Sequence, residues 1–440
     1  MNEMSVYADM KESGIDWIGA VPSHWAMHTL YQLVSPVKAK NKDLSEKNLL
    51  SLSYGKIKRK NIKDTEGLLP ESFDGYNIIE AGDVVLRLTD LQNDHTSLRV
   101  GLATERGIIT SAYTTLRPSE NCVSKYLYYL LHSFDIRKGF YGMGSGVRQG
   151  LNYDEVKELR IVLPHYDEQE AIVAYLDEQC ALIDESIAEA QASIEGYKTW
   201  KSSVIYQAVT KGIDENVEMK DSGIDWIGLI PKTSDVIRLR YLVSSYKAGP
   251  FGSSLITDKL LPTGNILVYT PEHVANNSVE SEKNLYLPEE RKEEMDQFIV
   301  HEGDIIFPIV GSLGRAMRID KSMPEGIINQ RLAKMRINEK LLDAEYFMWV
   351  FAKGDYLTPY IEINCRGSFI VNLTKTIVYD MPFVLPRGIA TQRRIAEYLR
   401  VTCNNVDEMI SEKQRLISDL ETYKRSLIYE AVTGKRKVVQ

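Results

Sequence analysis

The strongest constraint on this chain is that it contains itself twice. Met10-Lys-Glu-Ser-Gly-Ile-Asp-Trp-Ile-Gly19 returns as Met219-Lys-Asp-Ser-Gly-Ile-Asp-Trp-Ile-Gly228, nine of ten positions being identical at a spacing of 209 in a chain of 440 residues. A second block closes each half. Gln169, Ile172, Tyr175, Leu176, Cys180, Asp184, Glu185 and Ile187 recur 223 positions later as Gln392, Ile395, Tyr398, Leu399, Cys403, Asp407, Glu408 and Ile410. At the same offset Lys201, Ser203, Ile205, Tyr206, Ala208, Val209 and Thr210 return as Lys424, Ser426, Ile428, Tyr429, Ala431, Val432 and Thr433. Repetition on this scale means one structural plan built twice, with a pseudo-twofold relation between the copies.

The closing blocks read as helices. From Ile172 onward Leu176, Ile183, Ile187, Ala190, Ile194, Tyr197, Val204, Ile205 and Ala208 recur at threes and fours, one helical stripe. No proline interrupts residues 165 to 230, and Gly212 supplies a stop. About 43 residues make a rod of roughly 65 Å. Its twin runs from about Thr391 to Thr433, before Gly434. Such a stripe outlasts the core of a small domain, so antiparallel pairing of the copies is expected, through Ile172, Leu176, Ile183, Ile187, Ile194 and Ile205 against Ile395, Leu399, Ile410, Ile417 and Ile428. Packing of each helix on its own domain is the alternative.

Between these blocks the two halves share an order of elements but not their residues. Gly82-Asp-Val-Val-Leu-Arg87 and Gly303-Asp-Ile-Ile-Phe307 read as buried strands after a turn, and Gly107-Ile-Ile and Gly326-Ile-Ile are similar. Residues 125–131 and 345–351 read as amphipathic helices, and Arg160-Ile-Val-Leu-Pro164 and Met381-Pro-Phe-Val-Leu-Pro386 as last strands ended by proline.

The chain resembles the specificity (S) subunits of type I restriction-modification enzymes. The resemblance covers its whole length. It rests on Ser-Gly-Ile-Asp-Trp-Ile-Gly with a following proline (Pro22, Pro231), on Gly-Asp before an apolar pair, on Leu-Pro then Gln-x-x-Ile-Ala at the helix entry (Gln392, Ile395, Ala396), and on the duplicated plan. The family pattern has Glu-Gln at that entry, kept in Glu168-Gln169 but not in Thr391-Gln392. It also has a tryptophan after the proline, kept in Trp25 but absent from Pro231-Lys-Thr-Ser-Asp. The resemblance implies an α+β fold: two mixed α/β target-recognition domains separated by two long helices that form an antiparallel coiled coil, with an internal pseudo-twofold repeat. The expected division is residues 1–165, first recognition domain; 166–212, first spacer helix; 213–387, linker and second recognition domain; and 388–440, second spacer helix and tail. It further implies a non-catalytic subunit that recognises an asymmetric bipartite DNA target and holds two methyltransferase subunits and up to two restriction subunits. No cofactor is then expected in this chain, S-adenosylmethionine, ATP and magnesium belonging to the partners.

The residues support a chain without its own chemistry. An amino-methyltransferase needs an Asn/Asp-Pro-Pro-aromatic loop, and no Pro-Pro occurs. Gly142-Met-Gly-Ser-Gly146 follows a helix and a loop rather than a strand feeding a helix, and no GxxxxGK[ST] occurs. Glu155-Val-Lys157 could end a nuclease metal site, but such tripeptides are common. None of the seven histidines has metal-ligand spacing, and no Gly-x-Ser-x-Gly elbow is present.

Candidate DNA contacts are local. Residues 54–63 carry five cations beside Tyr54, among them Lys56, Lys58, Arg59 and Lys60, suited to releasing counterions from phosphates. A solvated loop would look the same. Ser145, Arg148 and Gln149 in one half, and Arg366 and Ser368 in the other, lie in glycine-bearing stretches at corresponding places; arginine and glutamine can pair with guanine and adenine edges. A simple tight turn fits these stretches as well. Arg87, Arg315, Asn329, Gln330 and Arg331 complete the set.

A total of 53 Lys+Arg against 61 Asp+Glu leaves a charge of -8, unlike a generic nucleic-acid coat. Nine acidic residues and no basic one lie between Asp167 and Tyr197, so much of that acidity belongs to the first rod. Its outer face (Glu178, Glu185, Glu189) and the entries at Gln169 and Gln392 are candidate docking points for the methyltransferase subunits. Four scattered cysteines without a CxxC pair, no signal-like N-terminus and no 18-residue apolar run point to a cytoplasmic protein. The alternative of another class is a coiled-coil scaffold that never touches DNA.

Overall fold

A computed structural model describes residues 6–60, 72–91, 98–143, 150–250, 255, 260–311, 314–365 and 372–438. The chain divides into two compact units, Met1–Gln191 with Gln414–Gln440, and Ala192–Lys413.

In unit 1 the opening block makes the hairpin β1 (Met10–Glu12) and β2 (Ala20–Pro22). Its two glycines, Gly14 and Gly19, take positive φ, as their copies Gly223 and Gly228 do, which is why the motif keeps glycine there in both halves. Next come β3 (Ala26–Thr29), β4 (Val34–Pro36), β5 (Leu50–Ser53), β6 (Lys56–Arg59), β7 (Asn77–Ile79), β8 (Val84–Leu86), β9 (Val100–Leu102), β10 (Gly107–Ile109) and β11 (Thr114–Pro118). Helix α1 (Ser124–Ile136) and β12 (Arg160–Leu163) follow. The central antiparallel sheet has the order β4-β11-β8-β9, while β5–β6, β10–β7 and β12–β3 pair separately. Strand β8 is buried along its whole length, as expected of an unbroken apolar run.

Unit 2 repeats the plan. The hairpin β13 (Met219–Asp221) and β14 (Leu229–Pro231) leads to β15 (Ser234–Arg238), β16 (Val243–Ala248), β17 (Ile266–Tyr269), β18 (Tyr286–Leu287), β19 (Ile305–Pro308), β20 (Met317–Arg318), β21 (Gly326–Ile328) and β22 (Leu332–Ile337). The sheet β16-β22-β19-β20 corresponds to that of unit 1, and in the second sheet, β18-β17-β21, the parallel pairing of β17 with β21 is matched in unit 1 by the parallel bridge between Leu49 and Ile108. The repeated Gly-Asp is a turn lock. Asp83 accepts the Glu80 N–H and both Nε and Nη2 of Arg117 at 2.8 Å; Asp304 accepts the His301 N–H at 3.0 Å and Arg336 Nε at 3.0 Å.

Two long helices complete both units: α2 (Tyr166–Lys211, 46 residues), and, after α3 (Ala344–Phe351) and β23 (Pro382–Pro386), α4 (Ile389–Val432, 44 residues). Gly212 and Gly434, both with positive φ, lie just beyond their ends. In unit 1 the start of α2 (Ile172, Leu176, Cys180, Ile183) shares a core with the end of α4 (Leu427, Ile428, Ala431, Val432). In unit 2 the end of α2 (Ile205, Ala208, Val209) shares a core with the start of α4 (Ile395, Ala396, Leu399, Cys403). Antiparallel pairing is therefore what forms, within the α+β fold expected from the repeat. Lys424 reaches Asp184 at 2.6 Å in unit 1, and their copies Lys201 and Asp407 pair at 2.6 Å in unit 2. Exposed pairs of this kind contribute about 0.2–1 kcal/mol each, so they specify the register more than they stabilise it.

Candidate nucleic-acid interface

The cation run of unit 1 lies on the β5–β6 hairpin. Leu52 opposes Ile57 and Leu50 opposes Arg59, so Ile57 and Arg59 share the face of the buried leucines, while Lys56 and Lys58 stand opposite Ser53 and Ser51 on the other face. The ladder continues through the Lys60 N–H to the Leu49 carbonyl at 2.8 Å. Lys56, Lys58 and Lys60 are thus exposed on one side of an extended segment. Arg59 is not part of that row: its Nε meets Glu105 at 2.8 Å, and this pairing holds the Glu105 carboxyl below the usual range. Tyr54, exposed and with positive φ, tops the turn.

Arg87, half-buried, ends the β8 ladder, its N–H donating to the Arg99 carbonyl at 2.8 Å. In unit 2, Asn329, Gln330 and Arg331 form the turn between β21 and β22. Gly249 sits so close to the Asn329 carbonyl that a Cβ there would lie 1.9 Å from the oxygen, which pins this turn to the end of β16. Gln330 and Arg331 are exposed, and Asn329 Oδ1 accepts the Arg331 N–H at 3.0 Å. Exposed Arg315 donates to the Ala275 carbonyl at 3.1 Å. Ser145, Arg148, Gln149, Arg366 and Ser368 lie outside the described residues.

Of the helix positions, Ile172, Leu176, Ile183, Ile194, Ile205, Ile395, Leu399 and Ile428 are buried, whereas Ile187, Ile410 and Ile417 are only half-buried. The entries at Gln169 and Gln392 cannot dock a partner through those side chains, which corrects that expectation. Both are 1% exposed. Gln169 accepts the Val123 N–H at 2.8 Å and donates to the Asn121 and Pro164 carbonyls at 3.1 and 3.0 Å. Gln392 accepts the Asp343 N–H at 2.8 Å and donates to the Leu341 and Pro386 carbonyls at 3.0 and 3.1 Å. Each carboxamide joins the long helix to the stretch before the short one. Glu178, Glu185 and Glu189 do lie on the exposed face of α2.

Sequence reasoning missed Arg99. It is wholly buried, and no periodicity marks it, because a lone arginine before a strand reads as a surface cation. Its equivalent by strand register is Arg315, since Ala103 and Ile319 make the same ladder bonds to Asp83 and Asp304. One copy is inside and the other on the surface. Among the described residues no group of three His, Cys, Asp or Glu side chains could hold a metal ion, and no helix is long and apolar enough to cross a membrane.

The sequence model of the type I restriction modification DNA specificity domain matches this chain twice, at residues 22–195 and 247–417. The chain belongs to that family. It is a type I specificity subunit with two DNA target-recognition domains, a class that carries no catalysis of its own, and not a coiled-coil scaffold. No curated protein matches it by sequence. The specificity subunit is similar in fold to a chain solved in work on complex assembly and conformational transition of the type I R-M system, at 15% identity and TM-score 0.69 over 94% of this chain and 98% of that one. It is also similar to the HsdS subunit from Thermoanaerobacter tengcongensis, at 14% identity and TM-score 0.51 over 94% and 98%.

The specificity subunit's two departures from the family pattern are physically one. In unit 1, Trp25 is wholly buried and its indole N–H donates to Glu168 at 3.1 Å, with His24 and Tyr7 on the same carboxylate at 2.8 and 2.5 Å. In unit 2 the counterparts are Ser234 and Thr391. Both line a cavity of 30 Å³ with Pro231 and Ile395, room for about one water. With the indole lost, and Asn216 and Thr233 standing where unit 1 has Tyr7 and His24, the donors that meet the carboxylate in unit 1 are replaced together.

Proposed function

We propose that each unit reads one half of a split, asymmetric DNA site, and that the subunit carries two methyltransferase subunits and up to two restriction subunits to it. The observation that supports this best is one scaffold bearing two different faces: the lysine hairpin β5–β6 in unit 1, and the helix Pro271–Asn276 in unit 2. Lys56, Lys58 and Lys60 contact phosphates. Arg87, Arg315, Asn329, Gln330 and Arg331, with Ser145, Arg148, Gln149, Arg366 and Ser368, supply the candidates for reading base edges. Arg59 is better assigned to its pair with Glu105. The chain acts as recognition domains 1–165 and 213–387 with spacer helices 166–212 and 388–440, in the cytoplasm. S-adenosylmethionine, ATP and magnesium are bound by the partners.

Mapping methylated adenines in a host expressing the complex tests this. The expected motif has two unlike halves around a fixed gap; a continuous or palindromic motif refutes it. Four residues inserted into both long helices add roughly 6 Å, nearly two base pairs at about 3.4 Å each, so the gap lengthens. An unchanged gap rules out the helices as its determinant.

A further inference from the structure

Arg99 lies at the junction of several segments of unit 1. Its Nη1 donates to the Thr89 carbonyl at 2.5 Å and lies 3.4 Å from that of Arg87; Nη2 reaches the Asp90 carbonyl at 3.3 Å, and Nε the Tyr141 hydroxyl at 3.3 Å. The guanidinium also lies 5.4 Å from the centre of the Tyr141 ring. Its backbone N–H donates to buried Asp135 at 2.5 Å, and the Leu151 N–H joins the Leu88 carbonyl at 2.8 Å. Burying a guanidinium is unfavourable unless its donors are well met. Here they hold a turn in which Asp90 has φ +57°, a conformation that L residues adopt only when the surroundings enforce it. Thr89 and Asp90 are exposed at that turn. The lysine hairpin packs on the segment that carries Arg99: a Cβ on Gly55 would lie 3.1 Å from the side chain of Leu98, the residue before it.

We propose that Arg99 is a positioning residue for DNA recognition by unit 1: its guanidinium fixes the 87–90 turn in the unit that carries the phosphate-contacting lysines, so that the turn meets the bases of one half-site in a single register. This rests on the bipartite reading above. In unit 2 the equivalent Arg315 is exposed, so the dependence belongs to one half-site alone.

The test is the methylated motif of the full chain expressed with its methyltransferase partner. With Arg99→Lys, which keeps the charge but cannot span the three carbonyls, discrimination should fall about tenfold or more at one or more positions of one half-site, the share of a lost base contact. The other half and the gap should stay as in wild type. Tyr141→Phe, which leaves the buried charge in place, should weaken the same half to a smaller extent. An unchanged motif in both variants overturns the proposal, as do equal losses in both halves, and as does failure of both variants to co-purify with the methyltransferase, which would make the cluster merely structural. A wild-type motif without two parts refutes the bipartite reading itself, whereas a two-part motif untouched by Arg99→Lys refutes only the role of Arg99.

Discussion

Removing the lysine row should change how DNA binding responds to salt before it changes which DNA is bound. Lys56, Lys58 and Lys60 share one side of an extended segment, so their stems are spaced about 6.6 Å apart, and they are exposed. Each phosphate contact contributes about 0.9 to the slope of log K against log salt, so Lys56→Gln, Lys58→Gln and Lys60→Gln together should lower the slope by about 2.7. Between 50 and 200 mM salt the wild type should then lose about 40-fold more affinity than the triple variant. The assay is a fluorescence-anisotropy titration of labelled duplex with the full chain and its methyltransferase partner across that salt range, using both a random-sequence duplex and the methylated motif. The slope change should be the same for both duplexes, because phosphates carry no base identity. Surface substitutions of this kind stay within about 0.5 kcal/mol in stability, so the melting temperature serves as a control. A slope unchanged by more than about 0.5, against the 0.9 expected per contact, would refute the assignment. So would a loss confined to the specific duplex. Arg59→Gln should change the slope less than any one of the lysines, because that side chain is already paired with Glu105.

Gln169→Leu should destabilise the chain by on the order of 3 kcal/mol, since it strands an N–H and two carbonyls at the helix entry, and Gln392→Leu should match it; thermal unfolding showing less than about 1 kcal/mol at either would contradict the accounting. Glu168→Thr and Trp25→Ser should each destabilise, but the pair together should cost less than the sum, because the indole N–H and the carboxylate satisfy each other; a double-mutant cycle with no coupling would separate them. Burial raises the Asp135 carboxyl from 3.8 to about 6, so folding takes up a proton between those values. The stability it contributes is therefore present below pH 3.8 and is lost as pH rises through about 6. Asp135→Asn should flatten that part of the stability profile in denaturant titrations at pH 5 and pH 8, and parallel profiles for variant and wild type would disprove the shift. Exchanging Asp184 and Lys424 should restore what either reversal alone removes, within about 1 kcal/mol.

The duplicated decapeptide and the helix stripe were legible because their causes are local. Glycines at 14, 19, 223 and 228 answer a backbone requirement of their own turns, and Leu176 or Ile395 repeat at the period of the helix they lie on. Antiparallel pairing followed from the same stripe, since two copies of one apolar face can cover each other. The roles of long polar side chains were not legible in this way. Arg59 and Glu105, 46 positions apart, look like a surface cation and a surface anion until β6 is placed. Gln169 reads as a polar residue at a helix start, yet it is sealed against a stretch 46 to 48 positions earlier. Trp25 and Glu168 are separated by 143 positions, so nothing along the chain links their joint loss in the second half.

The sequence by itself determined a chain built twice, each half a mixed domain tied to a long helix, and the family to which that plan belongs. Those features arise from backbone preference and periodic burial, which neighbours along the chain decide. The tertiary structure alone decided which cations remain exposed on the β5–β6 hairpin, which are neutralised, and that of two register-equivalent arginines Arg99 is buried while Arg315 is not. Burial and pairing of a long charged side chain depend on whatever the fold brings within about 4 Å of its tip, and no local pattern carries that information.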